Sequence, residues 1–215
     1  MQSSSPTRAE KSGLSPEKRA LLELRLRGAA KGVVQDHSIS RKPVHDSAPL
    51  SFAQQRLWFL DQLAPGSSFY NVPAAVPLRM PLNASLLERS LNEIIRRHEV
   101  LRTRFVTVDG QPMQVIAETL AVEVPLVDLR HVPEGERQAE ATRLANQEAR
   151  QPFDLTRGPL LRARLLRLAD SEYVFCLTVH HVVCDGWSMG LLFQELNQLY
   201  TAYALGRPSP LEELP

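Results

Sequence analysis

The sequence has 215 residues, enough for one domain with a substantial core and a tail. Its 25 lysines and arginines are balanced by 24 aspartates and glutamates, which argues against binding to nucleic acid or to an anionic membrane surface. The polar start lacks the apolar run of a signal peptide, and no stretch is long and apolar enough to cross a bilayer. Cys176 and Cys184 form no disulfide framework, so a soluble protein of the reducing cytoplasm is expected.

Three segments are predicted to precede the main domain. Residues 1–13 are rich in serine and charge and too poor in apolar groups to offset the entropy of ordering, so disorder is expected there. Residues 14–28 carry a capping serine, a proline at the first helical position and a terminating glycine, which predict a short helix. Residues 29–49 are polar and contain two prolines, which predicts a linker, and residues 50–215 are expected to form the globular domain.

A helix, a strand and a second helix are predicted at the start of the globular domain. Ser51 and Gln54 have the spacing of a capping box, so a helix should begin near Ser51. Residues 69–80 form a strand candidate that two prolines are expected to interrupt. Asn83 is a suitable cap for a helix that ends around His98. The apolar stripe of this helix consists of Leu87, Leu91, Ile94 and Ile95.

The middle of the chain is rich in predicted strands. Apolar runs on both sides of Asp109 and Gly110 predict a β-hairpin, and residues 122–129 predict a further short strand. Residues 133–151 are charged and rich in alanine, which favours a helix that faces solvent.

The last part of the chain predicts two paired strands and a long helix. Residues 159–169 alternate leucine or alanine with arginine, the pattern of a strand with one face in water, whereas residues 172–183 are apolar on both faces, like a central strand. A helix follows from Ser188 and ends at Gly206. Its buried side is predicted to contain Leu192, Leu196, Leu199 and Tyr203. This alternation of strands and helices predicts a layered α/β or α+β domain.

The candidate chemistry lies where the central strand ends. Neighbouring strand residues point to opposite faces, so one of His180 and His181 should be structural and the other available. An imidazole can accept or donate a proton near neutral pH, which suits acyl transfer by an amine, an alcohol or a thiol. Asp185 could orient a ring or pair with an arginine. Gly186 allows either a close approach of the backbone to a substrate carbonyl or a turn with positive φ.

Less specific interpretations of these residues stay open. A histidine pair at a strand end is as often a core or surface feature as a site, and Asp-Gly is usually only a turn. A zinc site is disfavoured because no third ligand stands at a recognised spacing. Trp58 and Trp187 are interpreted as packing groups because of the area that an indole buries. The sequence contains no G-x-S-x-G elbow, phosphate-binding glycine loop or dinucleotide fingerprint, which leaves the histidine pair as the strongest chemical candidate.

Three motifs in sequence order resemble those of one enzyme family. Residues 180–186 match the HHxxxDG signature of condensation domains of nonribosomal peptide synthetases and of related acyltransferases. Residues 51–60, SFAQQRLWFL, resemble the first motif of that family, and residues 97–105, RHEVLRTRF, resemble its second. The resemblance runs from about Leu50 to the end of the chain. It implies a chloramphenicol-acetyltransferase-like sandwich lobe of the α/β class, the N-terminal one of the two lobes of a condensation domain.

The resemblance also implies roles for individual residues. His181 is the expected functional histidine. His180 and Asp185 are expected to be mainly architectural, whereas Gly186 is expected to bring its main-chain amide near the reacting carbonyl. Arg102, from the second motif, is expected to pair with Asp185, and its alternative interpretation is an ordinary surface cation.

The implied reaction is amide formation in nonribosomal peptide or hybrid polyketide-peptide synthesis, in which a carrier-bound amine attacks an upstream carrier-bound thioester. The substrates would be held on phosphopantetheine arms of the upstream and downstream carrier proteins, and the domain itself is expected to bind no cofactor or metal. The C-terminal lobe, absent from this sequence, is a further expected partner. Two alternatives stay open: a catalytically incomplete docking module that binds an upstream carrier protein or synthase subunit through residues 14–28, and a stand-alone acyltransferase completed by another subunit.

Overall fold

The computed structural model of the protein describes residues 47–214. The predictions for residues 1–13 and 14–28, including the docking segment, and for the linker up to residue 46 lie outside the described residues. The strands are β1 (Ala48–Pro49), β2 (Asn71–Arg79), β3 (Thr103–Val108), β4 (Gln111–Ile116), β5 (Leu126–Asp128), β6 (Leu161–Ala169) and β7 (Glu172–His180). The helices are α1 (Phe52–Leu63), α2 (Ala84–Arg97), α3 (Glu134–Ala149) and α4 (Gly186–Ala204), with a short 3-10 helix at Glu99–Arg102.

A four-stranded sheet in the order β2-β7-β6-β5 forms the centre of the domain. Strand β7 pairs antiparallel with both β2 and β6, and all its residues after Glu172 are buried, as a central strand requires. The predicted interruption by Pro73 and Pro77 is wrong, because β2 runs unbroken from Asn71 to Arg79. Strand β2 lies at the sheet edge, where one side of the backbone makes no ladder hydrogen bonds and proline is therefore tolerated.

Helices α2 and α4 pack against each other and cover one face of this sheet. The predicted apolar stripe of α2 is confirmed, since all four of its members are buried. The predicted buried side of α4 is confirmed in the same way. Leu91 and Leu199 are completely buried between the layers, and each such leucine contributes about 1.5 to 3 kcal/mol relative to an exposed one.

Helix α3 covers the other face of the sheet, which corrects the prediction that the arginine face of β6 lies in water. Arg162 and Arg164 point toward α3, where the buried carboxylate of Glu148 accepts a hydrogen bond from Arg162 at 2.6 Å and forms an ion pair with Arg164 at 3.2 Å. Their side chains are only 24% and 25% exposed. The alternating pattern is that of a strand between two helical layers, and the charges facing α3 are paired.

Local sequence signals set the ends of several elements. The predicted capping box is confirmed: the Ser51 amide donates to the Gln54 side chain at 2.9 Å, and the Gln54 amide donates to the Ser51 hydroxyl at 3.3 Å. The predicted hairpin joins β3 and β4, and both turn residues have positive φ, 49° at Asp109 and 77° at Gly110. Asn83 caps α2, as predicted. Together these elements form the mixed α/β fold that the sequence predicts.

Candidate functional site

The two adjacent histidines at the end of β7 occupy opposite environments. The side chain of His180 points into the interior and the residue is 3% exposed, whereas His181 is exposed. Consecutive side chains of a strand alternate between faces, and this difference in exposure is the one that alternation predicts. The imidazole of His181 is therefore the one that a substrate in solution can reach.

His180 is a neutral packing group that also shapes the turn after the strand. Its ring contacts the rings of Tyr70 and Phe153 edge-on, with centroids 6.4 Å and 6.0 Å away. Its Nδ1 accepts a hydrogen bond of 3.2 Å from the amide of Val182. Burial, with a smaller contribution from the nearby charge of His181, lowers the pKa of His180 to about 4.

The low pKa of His180 predicts a loss of stability in mild acid. The folded pKa of about 4 lies below the ordinary value of 6.5, so the unfolded chain takes up this proton first as the pH falls. The stabilising contribution is complete above the unfolded pKa and is lost as the pH falls through the folded one. Urea unfolding between about pH 7 and pH 4 should therefore show a shallower pH dependence in His180→Gln, which keeps an acceptor but does not titrate. Equal slopes in the two proteins would contradict this assignment.

Main-chain hydrogen bonds fix the position of His181. Its amide donates to the carbonyl of Tyr70 at 2.8 Å, which ties the end of β7 to the residue that precedes β2. In the same turn the amide of Val183 donates to the carbonyl of His180 at 3.1 Å. The backbone that carries the exposed imidazole is thus held from two sides.

Asp185 caps helix α4. One oxygen of its carboxylate accepts from the amide of Ser188 at 2.8 Å and from the hydroxyl of Ser188 at 2.7 Å. These hydrogen bonds lower the pKa of Asp185, which keeps the carboxylate ionised next to the positive end of the helix. The architectural role expected for Asp185 fits this geometry.

Gly186 is the first residue of α4 and is open to its surroundings. The alternative of a positive-φ turn is wrong, since the positive-φ glycines among residues 47–214 are Gly66, Gly110, Gly158 and Gly206. A side-chain carbon built at Gly186 would meet no atom within 4 Å. The first amides of a helix have no acceptor within the helix. Asp185 accepts from the amide of Ser188, and no acceptor for the amides of Gly186 and Trp187 is found among residues 47–214.

The expected pairing of Arg102 with Asp185 is wrong. No ion pair joins the two within the described part of the chain, where the carboxylate is engaged by Ser188. The guanidinium of Arg102 donates instead to four main-chain carbonyls, those of Ile95, Arg96, Ala117 and Glu118. Two of these carbonyls belong to the last turn of α2, the negative end of that helix, which attracts a cation. Arg102 therefore ties α2 to the segment after β4.

The two tryptophans differ, and only one is a packing group. Trp58 is partly buried and packs against the main core, as expected. Trp187 is 87% exposed, so its interpretation as a packing group is wrong. Phe69, which precedes the anchor residue Tyr70, is exposed as well. Two large aromatic side chains are therefore open to solvent, one just before β2 and one in the first turn of α4.

The two cysteines differ in their distance from the site: Cys176 lies within β7, whereas Cys184 lies in the turn directly before Asp185. Cys176 and Cys184 are free, as expected; both are also buried, and burial raises the pKa of each thiol to about 11. An apolar cavity of about 500 Å³ lies between the sheet and helix α4, and none of the site residues predicted from the sequence lines it. Among residues 47–214, no helix combines the length and the apolar character needed to cross a membrane.

Comparison with known proteins gives a consistent result. Residues 44–215 match the condensation domain family. The chain is 49% identical over 173 residues to chondramide synthase cmdD of Chondromyces crocatus, covering 80% of this chain and 4% of that protein. It is 47% identical over 203 residues to phosphinothricin tripeptide synthetase PhsC of Streptomyces viridochromogenes, covering 94% of this chain and 19% of that protein.

Solved structures agree with the sequence comparison. The crystal structure of the starter condensation domain of rhizomide synthetase RzmA superposes with a TM-score of 0.73 at 28% identity and covers 79% of this chain. The match spans 41% of that structure's chain, so this sequence corresponds to less than half of a solved condensation domain. The fold, the three motifs and these relatives together establish that the chain belongs to the condensation domain family of nonribosomal peptide synthetases.

Proposed function

We propose that this chain supplies the histidine-bearing half of a site that forms amide bonds between two carrier-bound substrates. The observation that carries the proposal is the exposed imidazole of His181, fixed at the end of β7 directly before the open amino end of α4. The family assignment supports it, and one of the relatives is named as the synthetase of a tripeptide.

In the proposed reaction, the α-amine of a downstream aminoacyl thioester attacks the thioester carbonyl of an upstream acyl group. A carbon–nitrogen bond forms, the carbon–sulfur bond breaks, and the proton lost by the amine balances the one gained by the departing thiol. Both substrates are held on phosphopantetheine arms of carrier proteins, so the reactive thioesters arrive with the partners. The region that condensation domains have beyond this match would supply the opposite wall of the site.

His181 is proposed to act mainly by orienting the amine and by stabilising the tetrahedral intermediate. An α-amine has a pKa of about 7.7 to 8, so an appreciable fraction is already neutral near neutral pH and needs no base. Holding a nucleophile in the geometry of attack lowers the barrier by removing entropy that would otherwise be lost in the transition state. Proton removal by the imidazole is then a secondary contribution.

The amino end of α4 is proposed to face the carbonyl under attack. Negative charge develops on that oxygen in the transition state, and the amide of Gly186 lies at the positive end of a helix. Because Gly186 has no side chain and open space around its α-carbon, a substrate carbonyl can approach the backbone closely.

The experiment that tests this function mixes two carrier proteins, one loaded with an acyl group and one with an aminoacyl group, and follows the mass of each. The chain is assayed joined to the remaining region of a condensation domain. We expect the acyl group to appear on the downstream carrier as an amide. An acceptor whose amine is acetylated should receive nothing. Transfer of the acyl group to water alone, or no transfer, would refute the proposal.

A further inference from the structure

Arg162, in strand β6, makes contacts on every side of its guanidinium. Its Nε donates to the buried carboxylate of Glu148 at 2.6 Å. Its two terminal nitrogens donate to the carbonyls of Gln151 at 2.8 Å and Pro152 at 3.2 Å, in the segment that follows helix α3. The guanidinium carbon lies 3.8 Å from the ring centroid of Phe153. A planar, forked cation fits all of these partners at once.

Phe153 links Arg162 to the histidine pair, because it contacts both Arg162 and His180. Its ring is buried and contacts the ring of His180 edge-on, with an angle of 82° between the planes. The ring of His180 in turn accepts from the amide of Val182, the residue directly after His181. A continuous chain of contacts therefore runs from Glu148 through Arg162 and Phe153 to the turn that presents the exposed imidazole.

A second anchor holds the same segment. The side-chain amide of Asn71 donates to the carbonyls of Ala149 and Gln151, both at 2.7 Å. Asn71 lies directly opposite His180 in the register of β2 and β7. The end of α3 is thus clamped from the strand beside His180 as well as from Arg162.

We infer that Arg162 is a positioning residue for the condensation site: it holds Phe153 against His180 and thereby fixes the turn that carries His181. This inference deepens the function proposed above and depends on it for the effect on the reaction. Arg162 acts through these contacts and touches no substrate. Asn71 supports the same segment from the other side.

Arg164 provides a matched control on the same face of the same strand. It also pairs with Glu148, at 3.2 Å, and its exposure nearly equals that of Arg162. No contact found among residues 47–214 joins Arg164 to the segment 149–153. Arg162→Lys and Arg164→Lys both keep a positive charge beside Glu148. Only Arg162→Lys removes a guanidinium that binds the segment 149–153 and stacks on Phe153.

The test compares the two variants by kinetics and by NMR of the histidine rings, in the chain joined to the rest of a condensation domain. For Arg162→Lys we expect kcat to fall by about tenfold or more with KM for both carriers unchanged, since a small misplacement of a reacting group has effects of this size. The imidazole signals of His180 and His181 should shift in this variant. Arg164→Lys should keep kcat within about twofold and leave these signals in place.

Two results would overturn the inference: equal loss of kcat in the two variants, or unchanged imidazole signals in Arg162→Lys. Phe153→Leu keeps an apolar side chain but removes the ring, and it should reproduce the shifts and the loss of kcat should Arg162→Lys fold poorly. The NMR comparison needs no turnover. A failure of the proposed reaction would therefore appear as loss of product in every protein, with the difference between the two arginine variants still measurable in the spectra.

Discussion

His181→Ala is expected to lower kcat for amide formation by about a hundredfold or more, the usual effect of removing a group that positions or stabilises a transition state. Folding should be unaffected, because the side chain is exposed and the amide that donates to the carbonyl of Tyr70 stays in place. The measurement is a single-turnover experiment with both carriers preloaded, which separates bond formation from carrier binding. The free energy of unfolding should stay within about 0.5 kcal/mol of the wild type.

His131, exposed in the turn before α3, serves as the control for the loss of an exposed histidine. His131→Ala should leave kcat unchanged. His181→Gln can still donate or accept a hydrogen bond, so it should keep part of the rate if orientation dominates and none beyond His181→Ala if proton transfer dominates. A His181→Ala protein with the wild-type rate would remove the basis of the proposed function.

The parts of the fold that depend on neighbours in sequence were predictable. The caps at Ser51 and Asn83 and the hairpin turn at Asp109 and Gly110 are set by hydrogen bonds and backbone preferences within a few residues. The two wrong expectations for strands concern what lies beside each of them. Strand β2 tolerates its prolines because it lies at the sheet edge, and the arginines of β6 are covered by helix α3. Neither the edge position nor the covering helix can be deduced from the sequence of the strand alone.

The candidate site could likewise be predicted from the sequence only in part. The contrast between His180 and His181 follows from strand alternation and was predictable. The partners of these residues were not, because Tyr70, Asn71 and Phe153 reach them only through the register of β2 on β7 and the path of the chain after α3. The motif that contains Arg102 indicates the family that the comparisons show, yet the guanidinium binds nearby carbonyls instead of Asp185. A motif therefore identified the family here without fixing the contacts of each of its residues.

Glu148→Ala is expected to destabilise the domain by about 3 kcal/mol or more, because it leaves two arginines beside α3 without their shared carboxylate. The side chain of Glu148 is 6% exposed, accepts a hydrogen bond from Arg162 and forms an ion pair with Arg164. Urea unfolding measures the loss.

Glu140→Ala, on the same helix, removes an exposed pair with Arg143 and should lower the free energy of unfolding much less than Glu148→Ala does, because water screens the exposed charges. Equal losses would mean that the partly covered arginines of β6 are hydrated well enough to need no partner.

The same two variants are also expected to differ in their effect on the reaction, since Glu148 is the first residue in the series of contacts that leads through Arg162 to His180. Glu148→Ala should accordingly lower kcat at temperatures where the variant is still folded, whereas Glu140→Ala should leave it unchanged.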